Sequence, residues 1–333
     1  MKDIISIIVC TYNQEKTIAR CLDSILRQNC ETPFEIVIGE DCSTDGTREI
    51  CEAYRRRHPD IVRLFCSEKN KGMPQNYFDC LEKAEGRYIA DLAGDDEWCD
   101  DTKLETQRRF LDSHPEAVMV HTAFVRRNER TGDTESPAPY PYGTEPKHGD
   151  GLAQQVIMQG FTPVVHLCTA MYRKDAYFRC KAAHPEFFGT KYPCEDVQLT
   201  VLMGYEGMVC YLPRVTLCYG ISDTSISNNP DEEHSYWFDC GCTELMADLA
   251  RVLRLDTPEL RRHLQKRLSF MLWHVFRLGR QDLRHHAIDA ARRWGIEPES
   301  AMNRLLLFVT SCAALWRPAL AFRRMVVEIK RKH

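Results

Sequence analysis

The chain has 333 residues, 44 basic against 48 acidic side chains and a hydrophobic fraction of 44%, which excludes a disordered or collagen-like protein. Its length exceeds that of most single domains, so one large domain with a smaller appendage is expected. Charge divides along the same line: residues 251–333 carry 18 basic and 7 acidic side chains, leaving 26 and 41 in the first 250.

The first hundred residues alternate strand and helix patterns. Ile4 to Cys10 is an apolar, β-branched run suited to a strand buried on both faces. Ile18, Cys21, Leu22, Ile25 and Leu26 then fall on one helical stripe. Phe34 to Ile38 predicts a second strand, and Ser43-Thr44-Asp45-Gly46 a turn with capping chemistry before a helix through Ile50, Cys51 and Tyr54. A third strand is expected over Ile61–Phe65, a helix around Asn76–Ala84 and a fourth strand over Arg87–Leu92. Such alternation implies a parallel sheet with right-handed crossovers, whose ligands bind beyond the carboxyl ends of the strands.

Residues 128–150, rich in Pro, Gly, Glu and Thr, read as a long loop. Val164–Tyr172 and Met208–Tyr219 predict two further strands, and from Glu232 the pattern is helical. The 16 cysteines include no CxxC pair, so zinc-ribbon and thioredoxin signatures are absent. No secretory signal is expected at the first apolar run, so the thiols are expected to be reduced in a cytoplasmic protein. Leu305–Trp316 is the longest uncharged stretch near the C-terminus, short of the roughly 20 residues of a spanning helix.

Three turns at strand ends share an acidic, amide-rich character: Thr11-Tyr12-Asn13-Gln14-Glu15, Glu40 to Thr47, and Gly94-Asp95-Asp96-Glu97-Trp98. A base and a ribose need hydrogen bonds from carboxylates and amides, and a diphosphate needs a hard cation with oxygen ligands. Each turn also has a duller reading. Asp41, Ser43 and Asp45 suit local capping, and Asp95 and Asp96 a solvated turn. Three such turns on one sheet edge favour a nucleotide site. His121 and His166 lie in apolar segments and read as core or rim residues, His166 with a second option of lining an acceptor cleft. Trp98 reads as packing beneath the acidic turn.

In order and spacing, Ser6–Asn13, Asp41–Thr47, Asn70-Lys71-Gly72 with Asn76, Ala84–Ala90 and Gly94–Trp98 resemble the family 2 glycosyltransferases. The resemblance is specific over about residues 4–125 and looser to about 225. It implies an α/β GT-A fold: a Rossmann-like, mostly parallel sheet with helices on both faces, over residues 1–230. A basic helical region, 231–333, follows. It further implies an inverting transferase that moves a sugar from a nucleotide-diphosphate donor, UDP-linked in the first instance, to a glycan or lipid-linked acceptor in cell-surface polysaccharide biosynthesis.

By the same resemblance Thr11 and Asp41 hold the base, with Tyr12, Asn13 and Glu15 shaping its pocket and Gly72 and Asn76 belonging to the nucleotide site. Asp95 contacts the ribose, and Asp96 ligates a divalent cation, Mn or Mg, on the diphosphate. Asp196 is the base that deprotonates the acceptor, with Glu195 as neighbour or substitute; the two could also simply cap a helix. Two departures stand out. Ala93 replaces a carboxylate common in the family, and Cys218 to Ser225 contains no histidine, leaving Asp223 as a guess at compensation.

The basic C-terminal helices suit either an anionic inner-leaflet membrane surface or a bundle with a solvated basic face. A peripheral place on the cytoplasmic side of the membrane follows from the first option, and a homo-oligomer stays open. No nucleic-acid partner is expected, since no matching motif accompanies the basic residues. Two rival functions remain: a catalytically inactive nucleotide-sugar-binding scaffold, and a sugar-nucleotide pyrophosphorylase. The latter usually opens with a Gly-rich basic loop, unlike Thr11–Glu15.

Overall fold

The computed structural model describes residues 2–160, 162–221 and 231–332, with side chains through Phe322. The chain divides into two compact units, Met1–Ser222 and Asp223–His333.

In the first unit, the apolar run at the start becomes β1 (Lys2–Thr11), flanked in parallel by β2 (Phe34–Glu40) and β4 (Gly86–Ala93), with β3 (Val62–Cys66) outside β2. The stripe on α1 (Ile18–Leu26) is buried as expected: Ile18, Cys21, Leu22 and Ile25 pack on Ile5, Ile7 and Val9 of β1. The helices α2 (Thr47–Arg57) and α3 (Met73–Lys83) fill the crossovers. Gly72, with φ of 83°, turns the chain into α3, and Pro74 occupies its first turn.

Beyond β4 the sheet becomes mixed. Its eight strands run β3-β2-β1-β4-β7-β6-β8-β5. The short β7 (Met171–Arg173) is antiparallel to both neighbours, while β6 (Ala117–Asn128) and β8 (Met208–Ile221) pair in parallel. β5 (Glu97–Trp98) lies antiparallel on the edge of β8. The helix α4 (Lys103–Ser113) carries too many charges for its pattern to announce it; its apolar Leu104 and Leu111 meet the core.

The strand expected over Val164–Tyr172 does not form as one element. A 3-10 turn, Leu167–Thr169, precedes β7. The physical reason lies in where its carbonyls go. Trp98 Nε1 donates to Cys168 O, Gln107 Nε2 to Thr169 O and Lys103 Nζ to Ala170 O. Side chains from β5 and α4 therefore satisfy groups that a strand would have offered to its neighbour. Three helices, α5 (Gly149–Ile157), α6 (Lys174–Ala183) and α7 (Asp196–Glu206), complete the unit.

The second unit is helical, as expected: α8 (Glu232–Val252), α9 (Pro258–Leu278), α10 (Gln281–Arg293), α11 (Ala301–Val309) and α12 (Ala313–Lys332). Thr257 and Ser300 cap α9 and α11 through their hydroxyls, and Gly279 ends α9 in the left-handed region. Tyr236, Met271, Leu272, Val275, Leu306 and Trp316 lie in its core. Among the described residues no single helix is long and apolar enough to cross a membrane. Ala301–Val309 and Ala313–Phe322 pass that test together but are bent by 108°. All 16 cysteines are free thiols.

Candidate active site

Strand register levels the site. Thr11 lies opposite Glu40 of β2, and Cys10 opposite Ala93 of β4, so the three acidic turns leave the sheet side by side. The first turn is sewn to the second by three backbone donors: Asn13 N–H to Ser43 Oγ, Gln14 N–H to Thr47 Oγ1 and Glu15 N–H to Asp45 Oδ2. Asn13 adopts φ of 54° there, and its side chain accepts from Thr44 N–H. Toward the third turn, Thr11 Oγ1 donates to Gln14 Oε1 at 2.8 Å. Gly94 abuts that pair so closely that a Cβ would sit 2.3 Å from Gln14 Oε1.

Not every expected pocket residue faces an open site. Tyr12 is exposed, and Thr11 and Asp41 are nearly buried at the floor. The Asp41 carboxylate accepts from Lys71 N–H and Gly72 N–H, so it positions the loop entering α3. Glu15 spends Oε2 on Gly46 N–H and is a strut between turns. Asn76 is turned into the sheet: it is buried, donates to Gly39 O, and would collide with any side chain at Gly39. It thus packs the start of α3 against β2.

The third turn holds two different carboxylates. Asp95 is half-buried, next to Gln14, Arg20 and Glu129. Asp96 has no exposed surface; its Oδ1 accepts from Gly220 N–H at 2.9 Å, and its Oδ2 is buried beside the Cys168 thiol. Burial pushes both carboxyls up, Asp96 strongly, and the Asp95 charge adds to the Asp96 effect. Asp95 is thus the carboxylate that reaches the turn surface, and Asp96 lies beneath it. Glu97 is a structural anchor, gathering Arg20, Arg27 and Arg127 within 2.7–3.5 Å. Trp98 is fully buried and packs as expected.

Two adjacent carboxylates, one of them wholly buried, are a donor set that a divalent cation fits. The described residues offer Arg20 as the neighbouring positive group. Asp223 lies outside the described residues.

Glu195 and Asp196 open α7 at the same end of the sheet. Glu195 lies near enough to Cys10 on β1 and Asp91 on β4 for its charge to be felt by both. Burial comes first and the Asp196 charge second in pushing Glu195 up to about 8, and burial raises Asp196 as well. Asp196 Oδ1 accepts from Val197 N–H at 2.8 Å, which fixes its orientation.

Three buried groups beside the turns carry no role in the sequence pattern. Asp91 is buried in β4 beside the Tyr77 hydroxyl, and burial pushes it up to about 7. A charged residue inside the apolar run Tyr88–Leu92 was the available signal. Glu40 is fully buried, accepting from Ser43 N–H at 2.5 Å and pairing with Arg48 at 2.6 Å. Cys168 joins Asp96 and His166 in a cluster whose donor atoms all lie within 4.8 Å of one another. Nothing in their spacing along the chain pointed to that meeting. His121, by contrast, is the core residue expected, with burial holding its imidazole down at about 3.

An open α/β sheet with acidic turns at the carboxyl ends of its central strands is a nucleotide-binding architecture. A glycosyl transferase family 2 sequence model matches residues 6–178, more than half of the chain, and the protein belongs to that family. It is 39% identical over 133 residues to the uncharacterized protein Rv1520 of Mycobacterium tuberculosis, an alignment covering 40% of this chain and 38% of that relative. With the putative teichuronic acid biosynthesis glycosyltransferase TuaG of Bacillus subtilis it shares 38% identity over 110 residues, 33% of this chain and 42% of that one. The matches thus span less than half the length of these relatives. In fold it resembles TarS of Staphylococcus aureus, residues 1–349 with UDP-GlcNAc, at a TM-score of 0.62 and 20% identity, covering 87% of this chain and 80% of that one.

Proposed function

We propose that this glycosyltransferase moves a sugar from a nucleoside-diphosphate donor, UDP-linked, to a glycan or lipid-linked acceptor, with inversion at the anomeric carbon, in cell-surface polysaccharide biosynthesis. The observation that carries the reading is the convergence of three acidic turns and the Glu195–Asp196 pair on one end of the sheet. Relatives support the pathway: TuaG is named for teichuronic acid biosynthesis, and TarS is a poly(ribitol-phosphate) β-N-acetylglucosaminyltransferase whose structure holds UDP-GlcNAc.

Thr11 and Asp41 form the floor for the base, and Asn13 and Tyr12 its rim. Asp95, at the turn surface, would hold a divalent cation, Mn or Mg, whose charge stabilises the departing diphosphate when bound, with Asp96 buried beneath it. Asp196 takes the acceptor proton on the opposite side of the sugar, while protonated Glu195 keeps a second negative charge away from it. A hollow lined by Phe124, Tyr140, His166 and Tyr211, with His166 near Asp96, offers aromatic surfaces for acceptor sugars. The place of work is the cytoplasmic face of the membrane, a reading supported by exposed Leu305 and Phe308 beside exposed Arg304.

A radiolabelled transfer assay over a panel of nucleotide sugars, with and without Mn²⁺, tests this. Asp196→Asn abolishes transfer yet keeps the thermal stabilisation that donor confers, because ligand binding to the native state raises its stability. Full turnover by that variant would remove Asp196 as base. A chain stabilised by no nucleotide sugar would lose the donor reading, and donor binding without any transfer would favour the scaffold.

A further inference from the structure

The cluster beneath the acidic turn brings three different donor chemistries to one point. A carboxylate oxygen of Asp96, a ring nitrogen of His166 and the sulfur of Cys168 lie within 4.8 Å of one another. Asp96 has no exposed surface and Cys168 is 8% exposed. His166 Nδ1 is buried without a hydrogen-bond partner among the described residues, and Asp96 Oδ2 is buried with the Cys168 thiol beside its carboxylate as the one group that reaches it. An unpartnered buried polar atom costs about 1–3 kcal/mol, so its place beside that pair calls for an occupant.

The surroundings hold the three side chains in orientation. Gly220 N–H occupies the other Asp96 oxygen. The His166 ring is wedged between Phe124 and Tyr219, at centroid distances of 5.1 and 4.9 Å. Trp98 Nε1 fixes the backbone at Cys168 through its carbonyl, and Ala93 N–H points at its sulfur at 3.4 Å. Such contacts around a metal ligand set its direction and basicity.

We propose that Asp96, His166 and Cys168 form a three-ligand transition-metal site of the zinc class, with its fourth position open toward the acidic turn. Zinc bonds of about 2.0–2.3 Å to oxygen, nitrogen and sulfur put ligand atoms roughly 3.3–3.8 Å apart, so the cluster closes by a shift on the order of 1 Å. A thiolate and an imidazole disfavour magnesium, which takes oxygen ligands, and favour zinc or cobalt. Binding displaces the thiol proton of Cys168, and one carboxylate plus one thiolate balance the ion's two charges. This inference rests on Asp96 as a cation ligand but not on sugar transfer, so it is tested on nucleotide-free protein.

The experiment is a titration of reduced, chelator-treated full-length chain with Co²⁺ under anaerobic conditions. One equivalent is expected to produce sulfur-to-cobalt charge-transfer absorption in the near ultraviolet and intense visible bands of four-coordinate cobalt. Zn²⁺ displaces it, and Mg²⁺ does not. Cys168→Ser abolishes the charge-transfer band, and His166→Gln weakens cobalt binding at least tenfold. Cys66→Ser, Cys99→Ser and Cys312→Ser, at exposed thiols, leave both unchanged. If Cys168→Ser does not fold, the cobalt affinity of His166→Gln decides. A charge-transfer band that survives Cys168→Ser, undiminished affinity in His166→Gln, displacement by Mg²⁺, or no stoichiometric binding overturns the site. Loss of transfer with intact cobalt binding would instead count against the function proposed above.

Discussion

Replacing Arg48 by Met removes the counter-ion of a carboxylate that has no other contact with charge. Glu40 is completely buried at the end of β2, with Arg48 Nε at 2.6 Å on one oxygen and Ser43 N–H on the other. Arg48 also donates to Ser67 O at 2.9 Å. Stranding a fully buried charge costs about 3–5 kcal/mol. The Arg48 side chain is 35% exposed, however, so water reaches the pair and partly replaces it. A loss of about 2–3 kcal/mol is therefore expected, including the two hydrogen bonds at about 1 kcal/mol each. Urea unfolding, followed by fluorescence, should show a lower midpoint with an unchanged slope. The double variant Glu40→Gln/Arg48→Met should recover at least about 1 kcal/mol, since a neutral amide no longer needs the cation. Function should follow stability, because Ser43 ties this turn to Asn13: the Arg48→Met variant should bind donor more weakly. A midpoint within about 0.5 kcal/mol of wild type, or a double variant no better than the single one, would refute the electrostatic account.

Gly220→Ala places a Cβ 2.5 Å from the backbone carbonyl of Asp95, which cannot give way as a side-chain tip could. It should cost about 1–3 kcal/mol by thermal unfolding and depress transfer far more than a comparable core change. Gly94→Ala meets Gln14 Oε1 at 2.3 Å, the Thr11 hydroxyl at 2.9 Å and Ile18 Cδ1 at 3.1 Å, so it should break the Thr11–Gln14 hydrogen bond, cost about 1–2 kcal/mol and raise donor KM. The raised Asp196 carboxyl predicts that kcat falls with acid at a pH above the ordinary carboxylate value of 3.8; an acid limb at or below that value would contradict it. Asp91 is held up at about 7 by burial against 3.8 when unfolded, so wild type loses stability as pH rises across that interval. Asp91→Asn lacks this loss, and its advantage in denaturation midpoint should grow between those two values and level off above; a constant difference would refute the sign.

Much of this protein was legible in order along the chain. Buried β-branched runs and the Ile18–Leu26 stripe specify their elements through local sterics and one-dimensional periodicity, so β1 to β4 and α1 appeared where expected. The acidic turns were equally visible, since strand ends in a parallel sheet face one edge and the residues there are read directly. Periodicity could not reveal how each side chain is spent. Asn76 is consumed by Gly39, Glu15 by Gly46, and the Val164–Tyr172 strand is broken up by donors from Trp98, Lys103 and Gln107. Those outcomes depend on which atoms from distant segments arrive within hydrogen-bond distance. The same holds for the meeting of Asp96 with His166 and Cys168, about 70 residues apart along the chain. Pattern determines which surface each segment must bury; only the packed chain decides which buried polar groups find one another.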